Sequence, residues 1–424
     1  MGSKSCVSRN SPGSSTSRLE PAHSFLSLQH SETHNGSGGH GGTNLPNQIK
    51  VVCIGPAQTV RGGISSVIEK IRDRFPHHVQ FRTVATYSQY TGNEATERGS
   101  RLVQGMVFLQ AFARILAAGV FSRDTIFHIH LAVKGSTLRK GLVCVALRVL
   151  RCRFVVHAHA AEDSLFHGWV PEPIRRLLLW GLRGANYFIV LTQFWGDYYV
   201  KALRLPPDRI LRLPNPAALP VLIPDRSTRE GLNLLFLGRI GKRKGAFETI
   251  QAFAALPDEI RKKSRLILAG DGETEAAHHL ADDLRCSSET TVLRWVGREE
   301  ANRLLMEADV FLLPSRGEGM SMALLEAMAW GLAVVTTSNG GADEFLTSDC
   351  NCILVKPGDI QEISAALCSL TRNPKLRLRL GTEARRTASQ LSVESYIAKL
   401  TLLYEDIASD PRRSNRTQAL FSAK

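Results

Sequence analysis

Aromatic residues make up only 7% of this chain, and its 39 acidic residues fall well short of its 53 basic ones. A nucleic-acid surface interleaves stacking rings with cations, so few aromatics among dispersed basic segments argue against that partner. No G-x-G-x-x-G follows the first strand, which disfavours an NAD(P) oxidoreductase. P-loop, H-E-x-x-H and G-x-S-x-G signatures are absent too, and no D-x-D is placed to hold a metal-bound diphosphate. The eight cysteines lack framework spacing, and Cys350-Asn351-Cys352 is C-x-C without a second ligand pair, so reduced thiols in a cytoplasmic protein are expected. No continuous apolar run approaches the roughly 18 residues of a spanning helix, which predicts no transmembrane segment. Residues 1–48 hold no apolar stretch of a secretory signal, and Cys6 occupies the Ser/Thr position of a myristoylation pattern opened by Gly2.

What is present begins with charge. A net charge of +14 suits an anionic membrane surface or nucleic acid. At 424 residues and 43% hydrophobic, the chain has length for two or three domains with sizeable cores. Residues 1–48, rich in Ser, Gly, His and Asn, read as a disordered extension in which His30, His34 and His40 carry no specific site.

From Ile49 onward strands alternate with helices, which predicts a mainly parallel α/β architecture. Ile49–Pro56 reads as a strand, and Arg61-Gly62-Gly63-Ile64 opens a helix reaching Arg74. Further strands are expected at Phe81–Ala85, Thr125–His130, Phe154–His157 and Tyr187–Leu191, with helices at Leu102–Ala118, Ser136–Leu150 and Pro173–Leu182 between them. The proline-broken stretch 220–227 marks the linker, and a second α/β series follows. The expected boundaries are 49–222 for an acceptor-side domain and 223–390 for a donor-side domain. A helix over 391–409 packs back towards the first domain, and 410–424 forms a frayed tail.

Three stretches at strand ends carry chemistry. In Pro314–Thr337 a strand ends, Gly317 and Gly319 bracket Glu318, Ser321 caps a helix through Trp330, and Gly331 stops it. A helix N-terminus there favours an anion, while Glu318 and Glu326 suit sugar hydroxyls, so the pair points to a sugar phosphate. Gly238-Arg239-Ile240-Gly241-Lys242-Arg243-Lys244-Gly245 gathers four cations on a tight loop that a pyrophosphate would neutralise. His157 and His159 follow a strand of the first domain, where either could donate to a phosphate or polarise a hydroxyl. They could also ligate a metal, but only Glu162 and Asp163 stand near. His128 and His130 form a second H-x-H that reads as strand-end packing.

Together these segments resemble the retaining glycosyltransferases of family four. Glu318 to Glu326 is similar to that family's E-x7-E motif, Gly238-Arg239 to Lys244-Gly245 to its G-R-x4-K-G, and Leu268–Gly272 to its strand-ending G-x-G. Gly62-Gly63 resembles its N-terminal phosphate loop, and His157-Ala158-His159 its H-x-H-G region, with Ala160 where the family has glycine. The resemblance implies a GT-B fold of two Rossmann-like domains facing across a cleft. Glu318 would touch the donor sugar and Glu326 the nucleotide ribose. Arg239 and Lys244 would neutralise the departing diphosphate, and His159 would sit near sugar and acceptor. Gly62, Gly63, His157, Gly270, Met320, Ser321 and Met322 would line the substrate. No cofactor and no metal are implied.

The expected partners are a nucleotide-sugar donor and a glycan or polyprenyl-diphosphate-linked acceptor in surface polysaccharide synthesis. The basic, Leu- and Trp-bearing segments 139–153 and 173–183 would dock the protein on anionic lipid at the inner face of the plasma membrane. A sugar-nucleotide epimerase on the same fold is the rival enzyme, and a basic nucleic-acid-binding protein the rival from another class.

Overall fold

The computed structural model describes residues 48–88, 97–132, 135–159, 170–227, 232–338, 341–409 and Phe421. Expectations for residues 1–47, Ala160, Glu162, Asp163 and most of 410–424 fall outside them.

Two six-stranded parallel sheets organise the chain. The first contains β1 (Ile49–Gly55), β2 (Val79–Ala85), β3 (Ile126–Leu131), β4 (Arg153–Ala158), β5 (Tyr187–Val190) and β6 (Ile210–Arg212), in spatial order β2-β1-β3-β4-β5-β6. Its helices are α1 (Gly63–Ile71), α2 (Glu97–Phe121), α3 (Gly135–Val149), α4 (Glu172–Leu182) and α5 (Gln193–Leu203). The second contains β7 (Asn233–Leu237), β8 (Arg265–Ala269), β9 (Thr290–Leu293), β10 (Val310–Leu313), β11 (Ala333–Thr337) and β12 (Ile353–Val355), in order β12-β11-β10-β7-β8-β9. Around it lie α6 (Ala246–Ala254), α7 (Asp258–Arg261), α8 (Thr274–Asp283), α9 (Arg298–Glu307), α10 (Met322–Ala329), α11 (Ile360–Arg372) and α12 (Pro374–Ser389). α13 (Val393–Ser409) returns to the first sheet, where Val393, Tyr396, Leu400 and Tyr404 pack with Ile49 and Val51.

Strands buried on both faces read as unbroken apolar runs, and β5, β10 and β11 are buried along their whole lengths. Such runs need no alternation to be recognised. α5 and α8 are helices that the sequence pattern did not predict. α5 begins Gln193-Phe-Trp-Gly-Asp-Tyr-Tyr, a run of weak helix formers that packing of Tyr199 and Leu203 on the sheet overrides. α8 offers the core only Ala277 and Ala281, one turn apart, too small an apolar face to read as periodic.

The stretch 220–227 has no regular structure, but it is anchored. Arg226 is buried, and its guanidinium donates to the carbonyls of Leu305, Met306 and Ala308 around the end of α9 and to that of Trp330. A buried charge requires such partners, and orphan helix-end carbonyls supply them.

By length and composition alone, Leu102–Phe121 is the one described helix apolar enough to cross a membrane. Gln104, Gln110 and Arg114 interrupt its apolar run, so a search for unbroken hydrophobicity misses it.

Candidate active site

In an open parallel sheet, ligands sit beyond the carboxyl ends of strands where the order reverses. In the second sheet that point lies between β7 and β10, which are neighbours although far apart in sequence. The loop after β7 is Gly238–Gly245, and the turn after β10 is Pro314–Ser321. Topology alone therefore sets the basic loop beside Glu318.

The contact is intimate. Lys244 Nζ pairs with Glu318 Oε1, Arg243 Nη1 reaches the same oxygen at 3.5 Å, and Ser315 Oγ donates to it at 3.1 Å. Arg243 Nη1 also donates to the Gly317 carbonyl at 3.0 Å. The side chains of Lys244 and Glu318 are only 15% and 12% exposed, so their charges meet in a sheltered place. Arg239 points elsewhere: it is 65% exposed and lies 3.3 Å from Asp271. The sequence ranked Arg239 and Lys244 together, whereas the fold brings Lys244 and Arg243 to Glu318.

Glycine makes this approach feasible. A Cβ on Gly270 would stand 1.8 Å from the Gly238 carbonyl oxygen, and one on Gly245, at φ +76°, would stand 2.3 Å from that of Pro314. Gly270 thus lets the end of β8 lie on the basic loop.

Ser321 caps α10, accepting from the Leu324 amide at 3.4 Å. Met320, Ser321 and Met322 are all buried. A Cβ on Gly63 would lie 3.4 Å from Met322 Cγ, so the N-terminus of α1, opened by Gly62 and Gly63, meets that of α10. Two helix N-termini converging from the two sheets give an anion a shared positive end. Across the same junction Lys70 of α1 pairs with Glu326 of α10.

On the first sheet, β3 and β4 pair with His130 opposite His157. Period-two spacing then puts His128, His130, His157 and His159 on one face as a stack, with ring centroids of adjacent pairs 4.3–5.4 Å apart. His128 bonds Tyr404 Oη at 2.6 Å and His157 at 3.2 Å, while His130 bonds His159 at 2.7 Å. Burial pushes His128 and His159 down to about 3, and His130 and His157 well below the usual imidazole range. All four rings are therefore neutral. His157 is wholly enclosed near His128 and Tyr396, and His159 alone of the four keeps some exposed surface, at 9%.

His128, His130 and His157 have nitrogens within 4.8 Å of one another, the only such group among the described residues. Near-parallel stacking sets their lone pairs side by side, and a metal would have to break the His128–His157 bond. His130 Nε2 and His157 Nε2 are buried without partners among the described residues.

Three residues of this site carried no usable sequence signal. Lys70 lies on a helix face that reads as core, and Arg243 is one of four similar cations. Asn215 sits in Pro214-Asn215-Pro216 and donates through Nδ2 to the Met320 carbonyl at 3.0 Å, tying the end of the first domain to the α10 turn. Two flanking prolines without amides hint at a rigid presentation, but nothing in the sequence says to what.

Residues 226–387 match the family model of the glycosyl transferases group 1. Among curated proteins the chain is 33% identical over 159 residues to an uncharacterized glycosyltransferase of Methanocaldococcus jannaschii, covering 36% of this chain and 40% of that one. It is 30% identical over 199 residues to the lipopolysaccharide core biosynthesis glycosyltransferase LpsE of Rhizobium meliloti, covering 47% and 52%. Over 185 residues it is 29% identical to the lipopolysaccharide glucosyltransferase WaaG of Escherichia coli, covering 43% and 49%. The matched stretch thus spans about half the length of these relatives. Anabaena HepE, solved with UDP and glucose, superposes with a TM-score of 0.64 at 17% identity, over 84% of this chain and 99% of HepE. The crystal structure of WaaG does so with a TM-score of 0.60 at 18% identity, over 85% and 99%. At those identities the likeness is one of fold. Residues 226–387 of this chain are thus similar to the glycosyl transferases group 1, and its two parallel sheets share the GT-B fold of the structures it superposes on.

Proposed function

We propose that the protein is a retaining glycosyltransferase that moves a sugar from a nucleotide-sugar donor to a glycan or polyprenyl-diphosphate-linked acceptor in surface polysaccharide synthesis. The observation that carries this reading is the meeting of Lys244, Arg243 and Glu318 at the switch point, beside two converging helix N-termini. Cations and helix ends suit a diphosphate, and a sheltered carboxylate suits sugar hydroxyls. LpsE and WaaG are named for lipopolysaccharide, and HepE was solved with UDP and glucose, which favours a nucleoside diphosphate sugar and a glycan product.

In this mechanism the C1–O bond to the diphosphate breaks through an oxocarbenium-like state, and its electron pair stays on the phosphate oxygen. The acceptor hydroxyl oxygen bonds to C1 from the face the leaving group vacates, and its proton passes to the departing phosphate. Charge grows on the diphosphate, so Lys244, Arg243 and the N-termini of α1 and α10 supply the main stabilisation. Glu318 positions the sugar. His159, neutral at physiological pH, orients a hydroxyl by hydrogen bonding rather than by charge.

The test is a donor screen read by mass spectrometry with a mixture of lipid-linked acceptors. The expected result is an acceptor heavier by one sugar, with the donor's anomeric configuration kept. Conversion of the sugar nucleotide without an acceptor would indicate the epimerase reading instead, and no consumption of any donor would refute both.

A further inference from the structure

The first sheet's two faces are covered unequally. α1 and α13 pack on one face, and α2, α3 and α4 lie side by side on the other. α2 is inside out for a surface helix. Small residues and Ile115 face the sheet: Ala111 and Ile115 are buried, and a Cβ on Gly119 would meet Cys152 Sγ at 3.0 Å. The large apolar side chains point away, with Leu102 72% and Phe121 87% exposed and Met106, Leu109 and Val120 more than half exposed. The spacing 102, 106, 109, 120 follows one outer stripe, where a globular surface helix carries polar residues.

The neighbouring helices continue the pattern. Leu142 and Val149 are exposed on α3, and Ile174, Leu177 and Trp180 on α4. More than half of the exposed large hydrophobic residues described in the whole protein lie on these three helices. Cations are set among them. Arg114 and Arg176 are exposed, and the Arg148 guanidinium lies 4.2 Å from the Trp180 ring centroid. Glu172 is the one carboxylate among the described side chains of these helices, and it is held by Arg175 and Arg176. A broad apolar face edged by Trp and Arg, on a chain of net charge +14, complements the headgroups and upper acyl region of an anionic bilayer.

We propose that the α2–α3–α4 face docks the protein in the plane of an anionic membrane, with α2 embedded as an interfacial helix. α2 does not span. Crossing the bilayer would strip Ile115 and Gly119 from the sheet and uncover the β-strands beneath, whereas only 17% of the stretch Leu102–Phe121 is buried, its outer side being free for lipid already. This goes beyond the transferase reading and stands without it.

Flotation of the full chain with phosphatidylcholine vesicles, with and without phosphatidylglycerol, tests the proposal. The protein should float with phosphatidylglycerol vesicles, and the triple change Met106→Gln, Leu109→Gln, Phe121→Ser should lower the bound fraction by at least about tenfold. That variant should keep the thermal melt and the nucleoside diphosphate affinity of the parent, since it alters only exposed side chains. Arg114→Gln and Arg176→Gln should each weaken binding to phosphatidylglycerol vesicles about fivefold. The proposal is overturned if the parent does not float, if the triple variant floats as well as the parent, or if bound protein resists alkaline carbonate extraction as a spanning protein does. Self-association abolished by the triple variant, in a parent that fails to float, would assign the face to a second copy of the chain.

Discussion

Lys70 of α1 and Glu326 of α10 form an ion pair that joins the two sheets' domains, with the lysine side chain almost wholly enclosed and the carboxylate about one-quarter exposed. Lys70 Nζ also donates to Ser66 Oγ at 3.1 Å, so its charge is held from both sides. The carboxylate assigned by resemblance to the ribose is thus also one of the groups that tie the two domains together.

Removing one partner leaves the other charge largely buried and without its counter-charge. Lys70→Met and Glu326→Gln should each destabilise the protein by about 1–3 kcal/mol in chemical denaturation, and the double variant by less than their sum. Strict additivity would show that the pair is not coupled. In calorimetry Glu326→Ala should weaken nucleoside diphosphate binding, and unchanged affinity would remove it from the ribose site.

At the switch point the sheltered residues should outweigh the exposed one. Glu318→Gln should lower kcat about 100-fold or more with little change in nucleotide affinity, and Lys244→Ala should cost a similar factor in kcat/KM. Arg239→Ala, at an exposed side chain turned to Asp271, should cost only about threefold. A larger loss at Arg239 than at Lys244 would reverse the assignment.

Gly270→Ala has nowhere to put its methyl group, because the Gly238 carbonyl oxygen would be 1.8 Å away. The backbone of the basic loop must move, and the expected loss is about 3 kcal/mol or more in stability together with weaker nucleotide binding. Gly297→Ala, where nothing lies within 4 Å of the new Cβ, is the matched control and should change stability little.

Acid should unfold this protein readily. For His128 and His159 the unfolded chain takes its proton near pH 6.5 and the folded chain only near 3. Above that window neither state holds the proton. Within it only the unfolded chain does, so stability falls as pH drops, by about 1.4 kcal/mol per pH unit for each histidine. Below about 3 both states are protonated and the loss stops growing. Denaturation midpoints measured between about pH 4 and 7 should show this slope, and His128→Gln should reduce it by about one proton. A slope unaltered in that variant would mean the ring is not held neutral.

Much of the fold is legible in the residues because buried parallel strands are near-continuous apolar runs. β8, β10, β11 and β12 fall where the apolar stretches place them, and the Ser321 cap and Gly331 stop of α10 follow from local backbone chemistry. What local chemistry could not reveal was any element whose stability comes from the sheet beneath it. α5 has weak helix formers and α8 a two-alanine face. The direction in which α2 turns its large side chains is a matter of packing, and periodicity is the same for a stripe facing in or out.

The site divides in the same way. By itself the sequence determined which groups exist at strand ends: the carboxylates Glu318 and Glu326, the cations of 239–244, the Gly62-Gly63 turn and the two H-x-H pairs. Strand order, which no local pattern encodes, decided which of them meet. It placed β7 beside β10, bringing Lys244 and Arg243 rather than Arg239 to Glu318, and β3 beside β4, gathering four histidines into one neutral stack. It also carried Lys70 to Glu326 across 256 residues of chain, an encounter that only the closure of the two domains produces.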